Sequence, residues 1–334
     1  MDPRGFPTTL PEFQKAFPND SACADYLIKL RWPNGFVCPK CGSTKEPRRR
    51  KMKSVVFRCR ACESHISLTA GTVMEGTHTP LSTWFWGAYL VTTMTPGMSA
   101  LQFQRQLGIS RYETAFQILH KLRAAMFRPE RDTIGGEHVV ELDETFVGGR
   151  TRGEGRGKHH KAVVVGAVEI RTRALPEAAN DNGKGRKATA KNAVYAGRLR
   201  LTVVEARTMG ELTGFVKKNV TAGSVVQTDG APQYDALAPM GFLHDALPLH
   251  HDPKLADAHL PMIHRVFANL KTWLEGTHHG VSQQHLQAYL NEFVFRFNRR
   301  FYPMTTFNSV LGIAVNAESA TYDELYSGAW VHAA

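Results

Sequence analysis

Two cysteine pairs, CPKC at 38–41 and CRAC at 59–62, constrain this chain more than any other feature. Each pair can present two thiolates from one tight turn, and the 17 residues between Cys41 and Cys59 suffice for a small hairpin that brings the pairs together. Four thiolates suit a tetrahedral Zn²⁺ and leave no open coordination position, so Cys38, Cys41, Cys59 and Cys62 are expected to hold a structural zinc. A polar segment this short builds no core of its own without such a metal staple. The remaining cysteine, Cys23, is expected to be buried.

The 334 residues carry 41 Lys+Arg against 30 Asp+Glu, a net charge of +11. Such a balance favours a polyanionic partner through phosphate contacts and counterion release. No window of about 18 apolar residues exists to span a bilayer, and MDPRGFPTTLPEFQ lacks the charged start and apolar run of a secretion signal. The expectation is a cytoplasmic protein without a membrane partner. Between the cysteine pairs, Lys45 to Arg60 holds eight basic residues and one acid, Glu46. Arg48, Arg49, Arg50 and Lys51 in this run are candidates for phosphate contact, the alternative being an ordinary solvated face.

Residues 80–127 read as helical. PLSTWFWGAYLVTTM gives an apolar helix, and SALQFQRQLGISRYETAFQILHKLRAAM gives a short helix, a turn at Gly108-Ile109-Ser110 and a longer helix. Ser110 with Glu113 three residues on reads as a capping box. Two helices joined by a short turn containing glycine match a helix-turn-helix, with Arg111, Tyr112, Thr114 and Gln117 near the start of the recognition helix, or else a packed helical hairpin. The basic charge and the expected zinc site favour DNA contact by Arg111, Tyr112 and Gln117.

From about 137 the pattern changes to strands: HVVELDETFVGG, KAVVVGAVEIR and RLRLTVVEA, with the polar insert ALPEAANDNGKGRKATAKNAVYAG before the third. That insert, at about 173–197, reads as a mobile basic loop. MGELTGFVKKNV is a helix, SVVQTD a strand ending at Asp229, and GFLHDALPLHH a fifth strand. Two long helices follow, about 258–276 and 282–299. This order gives an α/β layered sheet with helices packed on it.

Aspartate is a poor strand former, so Asp143 inside its strand and Asp229 at the end of another call for a reason. On adjacent strands the two could share divalent metal and support phosphoryl chemistry; singly, each also fits an edge or turn position.

CPKC…CRAC, LTAGTVMEGTHTPLSTWFWG, VELDETFVGG, VVQTDGAPQY and GTHHGVSQQHLQAYLNEFVFRFNRR together resemble the bacterial insertion-sequence transposases that have a zinc-ribbon head and an ISXO-like transposase domain. The resemblance covers roughly residues 15–315. It implies an RNase H-like mixed five-stranded sheet with flanking helices, of the DDE class, behind a zinc ribbon. It implies Mg²⁺ or Mn²⁺ as the catalytic cofactor, strand cleavage and strand transfer on transposon ends and target DNA, and a homo-oligomer in the active complex. Asp143 and Asp229 match the first and second acidic positions.

The third position in that family lies on a helix seven residues before a lysine, which here means His264 before Lys271, 35 residues after Asp229. His264 stands where glutamate is commonest, and the family admits variation there, Asn included. Asn269 is the competing candidate, about 140° round the helix from His264, whereas Lys271 shares His264's face and fits a DNA phosphate. Glu292 falls outside the spacing and is expected to pair with a nearby arginine.

The expected organisation is a zinc ribbon over 1–75, a helix-turn-helix-like region over 76–133, a catalytic domain over 134–315 and a tail over 316–334. The function read from these features is DNA transposition. The alternatives are a catalytically degenerate DNA-binding protein that uses the ribbon and helix-turn-helix and, more weakly, a nuclease.

Overall fold

The computed structural model describes residues 7, 9–51, 55–128, 131–148, 161–173, 193–247, 255 and 258–327. Most of the expected basic loop, 174–192, lies outside the described residues. Among those described, no helix is long and apolar enough to cross a membrane. The chain forms two compact units, one of residues 1–129 with 299–334 and one of residues 130–298.

The first unit begins with two helices that the sequence reading had not singled out, α1 (Leu10–Ala16) and α2 (Asp20–Arg31). Both start on side-chain caps: Thr9 Oγ1 accepts the Glu12 N–H and Asn19 Oδ1 accepts the Ala22 N–H. A small antiparallel sheet follows, β1 (Arg48–Lys51), β2 (Val55–Arg58) and β3 (His65–Ser67), in that order. Arg31, at the end of α2, donates to the carbonyls of Ser67, Leu68 and Ala70 and so ties the helix to the end of this sheet.

Next come α3 (Leu81–Thr93), α4 (Ala100–Gln106) and α5 (Tyr112–Ala124), and then, from the end of the chain, α9 (Pro303–Ala314) and α10 (Tyr322–Ser327). The core between them is aromatic. Phe307 of α9 meets Phe13, Phe17, Tyr26, Phe85 and Tyr89, and Tyr26 Oη donates to Asn308 Oδ1 at 2.6 Å. Cys23 is fully buried beside them, and burial pushes its thiol up to about 12.

One local expectation is corrected. The cap of α5 is Arg111, without a side-chain bond, so Ser110 and Glu113 form no capping box. Gln104 instead donates to the Ser110 carbonyl, and the turn closes through the Ile109 N–H on the Gln104 carbonyl.

The second unit is a five-stranded mixed sheet of β4 (Val140–Val147), β5 (Ala162–Thr172), β6 (Val194–Val204), β7 (Val225–Thr228) and β8 (Leu243–Ala246), in the spatial order β6-β5-β4-β7-β8. β5 runs antiparallel to both neighbours, whereas β4, β7 and β8 are parallel. This is the RNase H-like arrangement that the resemblance implies. One face carries α7 (Pro261–His278) and α8 (Gln283–Phe297), whose Ile263, Phe267, Leu270 and Leu290 pack on Val164, Val168, Leu199 and Leu201. The other carries α6 (Met209–Asn219) and a 3₁₀ turn (Pro232–Leu237), whose Leu212, Val216 and Leu237 pack on Val140, Leu142, Val165 and Val226. Burial on both faces explains why β5 reads as a continuous apolar run rather than an alternation.

β6 is an edge strand, and α8 covers its backbone. Asn298 accepts the Leu199 N–H and donates to the Leu199 carbonyl, and Gln287 accepts the Val203 N–H. These side chains take the place of a sixth strand and blunt an edge that would otherwise pair with another chain.

Gly166 lies across from Asp143 in the β4–β5 register. A Cβ there would fall 2.8 Å from Phe267 Cε1 and 2.9 Å from Ile263 Cδ1, so the glycine lets α7 approach the sheet closely. We expect Gly166→Ala to destabilise the protein by about 1–3 kcal/mol through overpacking. Chemical denaturation measures this, and an unchanged midpoint would show that the helix yields freely.

Candidate active site

Helix α7 starts at Leu260 without a side-chain cap of its own, and Pro261 at its first position has no N–H to satisfy. The cap comes from the sheet. Glu141 Oε2 on β4 accepts the N–H groups of Met262 and Ile263 at 2.8 and 2.7 Å. Glu141 is only 2% exposed. Burial pushes its pKa up to about 7, while the two N–H donors and the charges of His264 and Arg265 work in the opposite sense.

Side chains two apart on a strand share a face, so Asp143 points to the same side of the sheet as Glu141. The cap therefore fixes α7 directly over Asp143. One residue beyond the capped N–H groups stands His264, and its Nε2 lies 3.2 Å from Asp143 Oδ2. Both side chains are partly open to solvent, at 27% and 16%.

β4 and β7 pair in parallel with Val140 opposite Val226 and Glu141 opposite Gln227. Carried two residues further, past the end of β7 at Thr228, that register brings Asp229 beside Asp143. Val226 packs on the α6 face, so alternation turns Gln227 and Asp229 to the α7 face. Asp229 Oδ1 accepts the Ala231 N–H at 3.0 Å, an Asx turn that leads the chain off the strand through Gly230, whose φ is +73°. Lys271 stands seven residues beyond His264 and is exposed. Burial of its stem and the nearby Lys161 lower its pKa, and the Asp143 charge acts against them. Asn269, the competing third candidate, is exposed.

A further acid of β4 is not apparent from the sequence as part of this region. Glu144, next to Asp143 but on the opposite face of β4, is almost wholly buried and is bound by Arg207 and by the Tyr234 hydroxyl. Burial raises its pKa, the Tyr234 bond lowers it, and the charges of Asp143 and Asp229 raise it again. Tyr234 belongs to the turn that follows Asp229, so this bond ties that turn to β4. Period-two alternation in VELDETF was the available signal: it separates Glu141 and Asp143 from Glu144. Glu292 is fully buried in α8 and pairs with Arg296 at 3.3 Å.

In the first unit, the sulfurs of Cys38, Cys41, Cys59 and Cys62 all lie within 4.8 Å of one another. Cys38 to Cys62 and Cys41 to Cys59 are each 3.7 Å. A tetrahedron of thiolates around zinc has edges of about 3.8 Å, so the four sulfurs fit this ion. The two turns match: Gly42 and Glu63, each directly after the second cysteine of its pair, have φ of +71° and +58°. Hydrogen bonds from the Ser64 side chain and backbone lower the Cys62 thiol to about 6, which favours the thiolate that a metal needs.

Of the basic candidates, Arg48, Arg49 and Arg50 are exposed on β1, and Arg49 is held by Asp25 at 2.6 Å. Lys51 ends that strand opposite Val55. Arg111 and Tyr112 are exposed at the start of α5, and Gln117 is half-buried one turn further on.

Residues 134–298 match the model of the ISXO2-like transposase domain, and residues 18–65 match that of the transposase zinc-ribbon domain. A protein of Halobacterium salinarum described as an uncharacterized protein in transposable element ISH50 is 25% identical over 293 residues, covering 84% of this chain and 92% of that one. No solved structure matches the chain.

Two outcomes follow from this geometry. Glu141→Ala leaves two buried N–H groups without their acceptor and is expected to destabilise the fold by roughly 2 kcal/mol or more; a melting curve like that of the parent would show that the cap does not hold α7. Protein purified without chelator is expected to carry about one zinc per chain, lost in Cys41→Ser together with the ordered ribbon. Elemental analysis and the near-ultraviolet dichroism of the ribbon aromatics, Trp32, Phe36 and Phe57, check this.

Proposed function

Starting from a chain that belongs to the ISXO2-like transposases and carries their zinc ribbon, we propose that it cleaves DNA strands at the ends of its own mobile element and joins them to target DNA. What supports the reading is the parallel pairing of β4 with β7, whose register, carried two residues further, brings Asp229 beside Asp143. Their carboxylates are hard oxygen donors of the kind Mg²⁺ and Mn²⁺ take. A divalent cation bound at this place would supply Lewis-acid activation of a water or strand-end hydroxyl and stabilise the charge that builds on the phosphoryl oxygens.

The remaining roles fall to the chain's own side chains. Asp143 and Asp229 are the ligands. His264 completes the set from α7, and an imidazole there serves Mn²⁺ better than Mg²⁺. Lys271 contacts a phosphate next to the cut, and Glu141 holds the helix that carries both. The ribbon and the helical region bind the element ends through Arg48, Arg49, Arg50, Lys51, Arg111, Tyr112 and Gln117. The active species is a homo-oligomer that brings two ends together.

One observation favours a second reading, a DNA-binding protein that has lost catalysis: His264 stands where an acid is commonest, and its contact with Asp143 satisfies that carboxylate without a metal. A single series of variants separates the two. Asp143→Asn and Asp229→Asn are expected to reduce cleavage of end-containing DNA on the order of a hundredfold or more while leaving binding intact. Cleavage unchanged by either rules out the site, and no cleavage by the parent with either cation selects the second reading. His264→Glu is expected to move the preference from Mn²⁺ toward Mg²⁺; a constant ratio of the two rates removes His264 from the ligand set.

A further inference from the structure

Directly before α9 the chain reads Arg299-Arg300-Phe301-Tyr302, a stretch used by neither the carboxylate site nor the ribbon. Tyr302 is 70% exposed, the most of any large apolar side chain among the described residues, and its neighbour Phe301 is 54% exposed. The backbone that carries them is fixed. The Tyr302 N–H donates to the Arg299 carbonyl at 2.8 Å, and the Tyr302 carbonyl accepts both the N–H and the hydroxyl of Thr305 at 3.0 and 2.8 Å.

Two rings are thus held in water on an ordered turn. Positive charge surrounds them. The Arg300 guanidinium lies 4.4 Å from the centroid of the Phe301 ring. The half-buried Arg299 adjoins the turn, and burial first and the Arg128 charge second lower its pKa to about 10.

A partner for such a surface must present flat apolar faces and negative charge together. Nucleic acid does so, but an intact duplex hides its base faces inside the stack. Strand ends, tails and unstacked nucleotides expose them, and a transposase produces strand ends. We propose that Phe301 and Tyr302 form a stacking platform for unpaired nucleotides, with Arg128, Arg299 and Arg300 on the flanking phosphates. This rests on the DNA-transposing reading given above and adds to it the state of the DNA that this surface takes.

The test uses full-length, zinc-loaded protein, a blunt duplex and the same duplex with a short single-stranded tail containing 2-aminopurine. The parent is expected to bind the tailed duplex more tightly and to quench the probe. Phe301→Ala with Tyr302→Ala is expected to weaken binding of the tailed duplex by about fivefold or more, the low end for one base–aromatic stack, with the blunt duplex unaffected. Tyr302→Phe keeps the ring and is expected to behave like the parent. The platform is overturned if the double variant binds and quenches as the parent does, if both duplexes weaken equally, or if the variant's sedimentation changes in the absence of DNA, which would make this a face between copies. Failure of the parent to bind either duplex would instead sink the DNA reading itself, and loss of cleavage alone leaves the platform standing.

Discussion

The carboxylate of Glu141 on the first two free N–H groups of α7 is the contact on which the rest of the second unit depends. A helix that starts with Leu260 and Pro261 has no local group to accept those hydrogens. A buried acid on the neighbouring strand takes them instead, and the positive end of the helix dipole favours its charged form. Desolvation opposes that charge and brings the group to about 7. Because the cap is anchored in the sheet, the helix cannot slide along β4 without breaking it. Gly166 adds the second constraint, the closeness of the approach. Together they set both the height and the position of His264 above Asp143.

The zinc ribbon rests on a different principle. Its three strands are of four, four and three residues. β1 is composed wholly of basic residues, so the sheet offers little apolar area to bury. Order there comes from the two matched cysteine turns, each closed by a residue with positive φ, and from Arg31 bridging to three carbonyls after β3. The thiolates of the ribbon and the carboxylates of β4 differ in kind as donors, soft sulfur against hard oxygen.

What could be read from the sequence follows the range of the interaction concerned. The cysteine pairs announce themselves because ligand spacing is local, and β4 to β7 do so because alternation and β-branched runs are local. Asp143 and Asp229 stand out because aspartate is costly in a strand. Glu141 gives no such signal: in VELDETF it resembles any polar strand residue, and only the folded helix start, 121 residues away, reveals why an acid is buried there. The same holds for Phe307, whose aromatic partners lie at residues 13 to 89, and for Asn298 clipping the backbone of Leu199. At Ser110 a good local pattern was outweighed. The turn closes through Gln104, and the helix begins one residue later than the capping-box signature indicates.

The three acids of β4 show how one short strand separates structural from chemical work. Glu144 faces α6, and its charge is spent on Arg207 and Tyr234. Glu141 and Asp143 share the α7 face, yet only two residues separate full burial from partial exposure. Under the body of the helix start, Glu141 meets N–H groups and is closed from water. Just past it, Asp143 keeps 16% of its side chain open; its Oδ1 accepts the Glu144 N–H at 2.8 Å, and its Oδ2 meets the His264 imidazole at 3.2 Å. Glu141 Oε2 is held by two backbone N–H groups in a site closed to water, whereas Asp143 Oδ2 meets a side chain at a partly open position. This difference in burial, rather than the residue type, separates Asp143 from the other two acids of its strand and leaves it the one open to solvent on the α7 face.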